Sequence, residues 1–149
     1  VGIVAGTVDM GSLETFPFRS DRFVVVSSAI HPLAQRSSTT FADVLGFDLV
    51  GLDRASSLQR FLSTKAAREG RPLRLRVQLR SFDAVCRLVE CGVGVGVVPE
   101  TTARRAARTM SLGIVELTDD WARRDLTICV RDLSQLAPYA RELVKSLRA

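Results

Sequence analysis

Histidine, tryptophan and tyrosine each occur once in the 149 residues, methionine twice and cysteine three times. The single histidine, His31, has no serine or cysteine placed beside it and no acid to orient it, which removes the Ser-His-Asp and Cys-His types of catalysis. No pair of carboxylates sits among apolar residues that would drive their pKa values apart. With no activated group to name, the chain does not read as an enzyme. Cys86, Cys91 and Cys129 are odd in number, lack Cys-x₂-Cys spacing and have no nearby histidine, so zinc is excluded and no cofactor is expected. They read as reduced, buried thiols of a cytosolic protein. No apolar run reaches the roughly 18 residues of a membrane helix, and no signal peptide is visible. The chain opens Val1-Gly2-Ile3-Val4, in mid-strand and without an initiator Met, and reads as a piece of a longer protein.

Lysine is scarce as well: Lys65 and Lys145 are the only two, and arginine supplies the rest of a net charge of +5. A sequence pI near 9.8 raises the question of nucleic acid. Such a face needs clustered cations interleaved with aromatics that stack on bases. Aromatics are 6% of the chain, and none interleaves the Arg74/Arg76/Arg80 row or the Arg104/Arg105/Arg108 turn. Both rows read as solvated faces, with mild steering of an anionic ligand as their one wider effect.

What is present is organised around residues 73–100. Leu73, Leu75, Val77 and Leu79 alternate with Arg74, Arg76, Gln78 and Arg80, the period of a half-buried strand. Ser81 is a good N-cap, Asp83 suits the positive end of a helix, and Val85, Leu88 and Val89 form an apolar stripe that Gly92 terminates. Residues 93–98 then carry no charge, as in a strand buried on both faces. Strand, helix and buried strand make a βαβ unit in a parallel sheet. Gly92, Gly94 and Gly96 follow a helix and do not open one, so they are not a dinucleotide fingerprint. Gly94 and Gly96 instead share a strand face and admit a close neighbour.

Around this unit the pattern predicts strands at 1–5, 22–26, 47–52, 112–117 and 126–131, with an extended piece at 15–19 and loop at 8–13. Helices are expected at 40–46 (a turn or two), 57–68, 100–108 and 138–147, the last with Tyr139, Leu143 and Leu147 on one face. Leu58, Phe61 and Leu62 should face inward, 118–124 should be a polar connection, and His31 should be a surface turn residue. Alternating strands and helices define an α/β protein with a mainly parallel sheet.

Three segments in fixed order, RFVVVSSAIHPLA at 22–34, FADVLGFDLVGL at 41–52 and LVECGVGVGVVPE at 88–100, resemble the effector-binding domain of LysR-type transcriptional regulators. The resemblance implies two α/β lobes like a type II periplasmic binding protein, joined by crossover strands, with a small effector in the cleft. On that reading 27–122 is the complete second lobe. Residues 1–26 and 123–149 are the crossovers and the C-terminal part of an incomplete first lobe. The DNA-binding winged helix-turn-helix of the family has no counterpart in these residues, so DNA enters only through that absent segment. The family also implies a cytoplasmic bacterial regulator that pairs into a dimer. An apolar face at Tyr139, Leu143 and Leu147, left uncovered by the incomplete lobe, would meet the partner. The alternative is a fragment of a transporter's type II solute-binding protein.

Open α/β sheets bind ligands beyond the carboxyl ends of their strands, where helix N-termini point. Four such ends occur, at 6–7, 53–57, 80–82 and 98–99, and their N–H groups and hydroxyls suit a carboxylate or another small anion. Carried over from the family are Gly6 and Thr7 on the first-lobe side, Ser81 and Phe82 on the second, and Val98 and Pro99 on the floor. Arg80 is available to pair with an anion, and Ser56 or Ser57 to donate from a helix start. Ser57 and Ser81 serve equally well as plain N-caps. Thr7 also suits a turn, Phe82 the lobe core, and Val98 and Pro99 a simple strand end and helix start.

Overall fold

A computed structural model describes residues 1–5 and 9–149. In chain order the strands are β1 (Gly2–Ala5), β2 (Glu14–Ser28), β3 (Ser38–Thr39), β4 (Leu49–Leu52), β5 (Leu75–Leu79), β6 (Gly96–Pro99), β7 (Leu112–Leu117) and β8 (Arg123–Val130). The helices are α1 (Phe41–Val44), α2 (Ser57–Arg68), α3 (Phe82–Glu90), α4 (Glu100–Ala106) and α5 (Pro138–Arg148). The chain divides into two compact units, 1–22 with 123–149, and 23–122.

In the 23–122 unit the strands lie in the order β5-β4-β6-β2-β7-β3. β5 and β4 are parallel, a parallel bridge joins Leu49 of β4 to Val95 just before β6, and β3 is parallel to β7. β2 is antiparallel to both β6 and β7. Five strands therefore run one way and β2 alone runs against them, so the expected mainly parallel α/β sheet is present. Residues 23–28 of β2 are all buried, as befits a strand with neighbours on both edges and helices on both faces. Its period-two alternation splits the core. Phe23 and Val25 pack with Phe41 of α1 and Leu62 and Ala66 of α2. Val24 and Val26 pack with Val85 and Val89 of α3 and Ala103 of α4.

The close approaches expected at the glycines are present. A Cβ on Gly94 would stand 2.5 Å from the carbonyl oxygen of Asp48, just before β4, and Gly94 itself precedes β6, so the two glycines meet different neighbours and do not share one strand face as expected. A Cβ on Gly96 would stand 2.9 Å from Val85 Cγ1 and 3.3 Å from Val26 Cγ2, beneath α3. Gly92 ends the helix with a φ of 79°, a conformation that favours glycine.

Several boundaries differ from expectation. The extended piece at 15–19 and the strand at 22–26 are one fifteen-residue strand, β2. Its register against β8 shifts between Pro17 and Arg19, where proline has no N–H to give the ladder. β6 is shorter than 93–98 because Gly92 to Gly94 form the turn out of α3, and β4 begins at Leu49 for a similar reason, after the turn closing α1. The connection before β8 holds a 3₁₀ turn, Asp120–Ala122, that buries Ala122 and sets Trp121 edge-on to Phe41 and Phe61 at 5.2 and 5.3 Å. Cys86 and Cys129 are buried and free as expected, whereas Cys91 is exposed because it caps the C-terminus of α3. Burial pushes the Cys86 thiol up. The Arg74 and Arg76 guanidiniums are solvated but both reach Asp48, at 2.9 and 3.4 Å.

In the unit of 1–22 and 123–149, β8 pairs antiparallel with β1 and with the first part of β2. α5 lies on this sheet through Val144 and Leu147, which meet Ile128, Val130, Phe16 and Phe18. The Arg148 guanidinium sits 4.4 Å from the Phe16 ring centre. The expected Tyr139-Leu143-Leu147 face is thus split. Tyr139 and Leu143 are 81% and 50% exposed, and Leu147 turns inward because it shares the i, i+3 row of Val144.

His31 is more than a surface turn residue. It is half-buried, caps the 3₁₀ turn Pro32–Gln35 by accepting the Leu33 N–H on Nδ1 at 3.1 Å, and stands edge-on to Phe47 at 4.9 Å. Burial lowers its pKa. The neutral ring is the folded form, so protonation in the unfolded chain draws stability away as pH falls below the ordinary histidine value of about 6.5. The loss is complete once pH is below the lowered folded value. Against a His31→Asn variant, which keeps a capping acceptor and does not titrate, wild type should lose more stability on acidification below about pH 6.5 and none above it. Urea unfolding across pH reads this. Separately, Gly96→Val should cost about 1–3 kcal/mol in the same unfolding assay, since Val85 and Val26 must give way.

Candidate functional site

β5, β4 and β6 are adjacent, so their carboxyl ends lie side by side at the roughly 4.8 Å spacing of neighbouring strands. Each end leads into a helix: β4 through residues 53–56 into α2, β5 through Arg80 and Ser81 into α3, and β6 directly into α4. One edge of the 23–122 unit therefore presents three helix starts, each with positive dipole character.

The local chemistry explains why the chain turns there. Asp53 Oδ1 accepts the Ala55 N–H at 3.0 Å, an Asx turn that reverses the chain after β4. Ser56 is the N-cap of α2, its hydroxyl oxygen accepting the Gln59 N–H. Ser57 is the first helical residue and is exposed, so of the two serines it is Ser56 that caps. Ser81 caps α3 by accepting the Ala84 N–H at 3.2 Å. Arg80 extends into solvent, its side chain 94% exposed and its Nε only 4.0 Å from Asp53 Oδ2. Phe82 is half-buried against the α3 side of the core. Val98 is fully buried in that core, and Pro99 is buried and stands as N-cap of α4 without a side-chain capping bond.

The structure thus brings Ser56, Ser57, Arg80, Ser81, Phe82, Val98 and Pro99 to three neighbouring strand ends of one unit. Gly6 and Thr7 lie outside the described residues. Carboxylates share the edge, since Asp83 is in the first turn of α3 and Glu100 in that of α4. Glu100 Oε1 accepts from Arg104 Nε at 2.9 Å. One residue at this edge escaped the sequence reading, Gln59, which reaches β4 from α2, while Asp53, already the start of the expected strand end at 53–57, shapes the turn. The Ser56-x-x-Gln59 spacing of a capping box was the available signal. A groove of about 1140 Å³ runs along α2 and β5 and reaches this edge through Arg54, Gln59 and Gln78, with Arg60 and Arg71 further along its lining. Among the described residues no group of three His, Cys, Asp or Glu side chains could hold a metal ion, and no helix is long and apolar enough to cross a membrane.

A mainly parallel α/β sheet with three helix starts along one edge defines the class of fold, and the comparisons with known proteins name the family. The LysR substrate binding domain model matches residues 1–149. The chain belongs to that family. Among relatives, it is 25% identical over 139 residues to the uncharacterized HTH-type transcriptional regulator YbhD of Escherichia coli (strain K12), covering 93% of this chain and 44% of that protein. It is 23% identical over 137 residues to a probable RuBisCO transcriptional regulator of Synechocystis, covering 87% of this chain and 39% of that protein. The chain therefore spans less than half the length of these relatives. Among solved structures, the CcmR regulatory domain of Synechocystis PCC6803 in complex with 2-PG superimposes with a TM-score of 0.82 at 20% identity, over 98% of this chain and 70% of that one. The BenM effector binding domain with benzoate gives 0.76 at 22% identity, over 99% and 67%. The QuiR effector binding domain with shikimate gives 0.73 at 17% identity, over 98% and 69%.

The caps make a direct prediction. Ser56→Ala and Ser81→Ala should each cost about 1 kcal/mol of stability, while Ser57→Ala should be nearly silent. Denaturant unfolding of the three variants checks it.

Proposed function

We propose that this chain is the ligand-sensing part of a LysR-type transcriptional regulator, binding a small anionic effector at the carboxyl ends of β4, β5 and β6. The observation that carries the reading is the set of three helix starts on adjacent strand ends, with Ser56, Ser57 and Ser81 offering hydroxyls and Arg80 a solvent-exposed guanidinium held only by a long 4.0 Å contact to Asp53. Backbone at Val98 and Pro99 forms the floor and Phe82 a wall. Residues 27–122 act as the second lobe, and 1–26 with 123–149 as crossovers and part of a first lobe. The ligands named with the matched domains, 2-PG, benzoate and shikimate, support a small carboxylate or phosphate as the chemical class.

In the whole protein the effector shifts the relative closure of the lobes and so biases how a dimer presents its DNA-binding segments, which lie outside this chain. The work is binding and not catalysis, in a cytoplasmic setting without a cofactor. The exposed Tyr139 and Leu143 are proposed to meet the partner chain. The transporter alternative is set aside because the matching family model is that of the LysR domain.

A thermal-shift panel of small carboxylates and phosphates tests the site. A ligand at a hundredfold excess over its Kd should add roughly 2.7 kcal/mol to wild type. Arg80→Ala and Ser81→Ala, each compared with its own ligand-free baseline, should lose most of that gain. Equal stabilisation of all three proteins would place the ligand elsewhere.

A further inference from the structure

One buried polar side chain beside this edge is not explained by packing. Gln59 is 4% exposed, its Oε1 accepts the Leu52 N–H at 3.1 Å, and its Nε2 has no partner among the described residues. An unpaired buried donor is costly, and an apolar side chain of similar volume avoids that cost.

The hydrogen bonds around it show what the glutamine does. In a Ser-x-x-Gln box the glutamine normally reaches back to the N-cap N–H. Here the Ser56 N–H donates to the Asp53 carbonyl at 3.1 Å, which leaves Gln59 to cross to β4. Along β4, the Leu49 and Asp53 N–H groups donate to the Arg74 and Leu79 carbonyls, and the Val50 N–H donates to Val95. The Leu52 N–H is next on the Val95 side by strand alternation, and Gln59 takes the place a strand carbonyl would have. Gly51 makes room, because a Cβ there would lie 2.5 Å from Gln59 Oε1. Gln78 Nε2 donates to the Leu52 carbonyl at 3.1 Å. Two glutamine side chains therefore grip the Leu52 residue immediately before Asp53 and the Ser56 cap.

We propose that Gln59 is a positioning residue for ligand binding. It ties the first turn of α2 to the carboxyl end of β4 and so fixes where Ser56 and Ser57 stand, with the unpaired Nε2 as the consequence of that tie. Its link to ligand rests on the strand-end reading above; the tie itself does not.

Gln59→Met fills the same volume without a polar group, and Gln59→Glu keeps an oxygen for the Leu52 N–H. Amide hydrogen exchange without ligand should be faster in Gln59→Met than in wild type at Leu52 and through residues 56–60, with global unfolding unchanged or later. Gln59→Glu should exchange like wild type there. Calorimetric titration with 2-PG, benzoate and shikimate should then show Kd weakened by about five- to tenfold in Gln59→Met for whichever probe binds wild type, and restored in Gln59→Glu. Unchanged exchange at these positions, or equal Kd in wild type and Gln59→Met, overturns the positioning role. If none of the three probes binds wild type, the anionic strand-end reading fails, while the exchange result still decides the tie.

Discussion

The chain entering β6 has to pass against the backbone just before β4, and β6 itself has to lie beneath α3, and only the bare positions at Gly94 and Gly96 let it do so. With the Asp48 carbonyl 2.5 Å and Val85 2.9 Å from where side chains would begin, neither position tolerates even a methyl group without something moving. From that seating the rest of the 23–122 unit follows. β6 reaches the middle of the sheet, β2 enters antiparallel beside it, and the ends of β5, β4 and β6 fall side by side. A bulkier residue would push β6 outward and separate the three helix starts along that edge.

Much of this was readable from local patterns. The Leu75/Val77/Leu79 alternation, the Ser81 cap and the Gly92 stop needed no tertiary information, because they act within one strand or one helix turn. Helix α2 and strand β7 were likewise bounded correctly. Failures occurred where tertiary context decides. Pro17 and the polar residues 19–22 look like a break between two strands, yet pairing to β8 carries one strand through them with a register shift. On α5, apolar residues at 139, 143, 144 and 147 leave two possible faces, and the sheet beneath selects Val144 and Leu147. Cys91 reads as apolar by composition but falls on a helix cap in solvent.

Of the candidate site, the strand ends and the two capping serines were legible because turns and caps have short-range signatures. Ser57 looked equivalent to Ser56 until the geometry assigned the cap to Ser56. The reach of Gln59 to β4 was hidden for a different reason, since the Ser56-x-x-Gln59 spacing announces a box with the cap and not a tie to a strand. A glutamine in the first turn of a helix usually faces water, and nothing nearby in sequence announces that Leu52, seven residues earlier, lacks a strand partner on one side. The arginines tell a complementary story. Arg74 and Arg76 meet Asp48, Arg71 donates to the Ala42 carbonyl and Arg104 to Glu100, so much of the basic composition is spent on intramolecular pairing.

The two units also differ in how the chain supplies them. One is a continuous stretch, 23–122, while the other is assembled from both ends of the chain. During synthesis the continuous unit can collapse as soon as β7 and the turn after it emerge. The other must hold β1 and the start of β2 in waiting until β8 and α5 arrive. Phe16 and Phe18 of that early segment, which pack with Ile128, Val130 and Val144 in the folded unit, therefore stay without those partners until the second half of the unit is made.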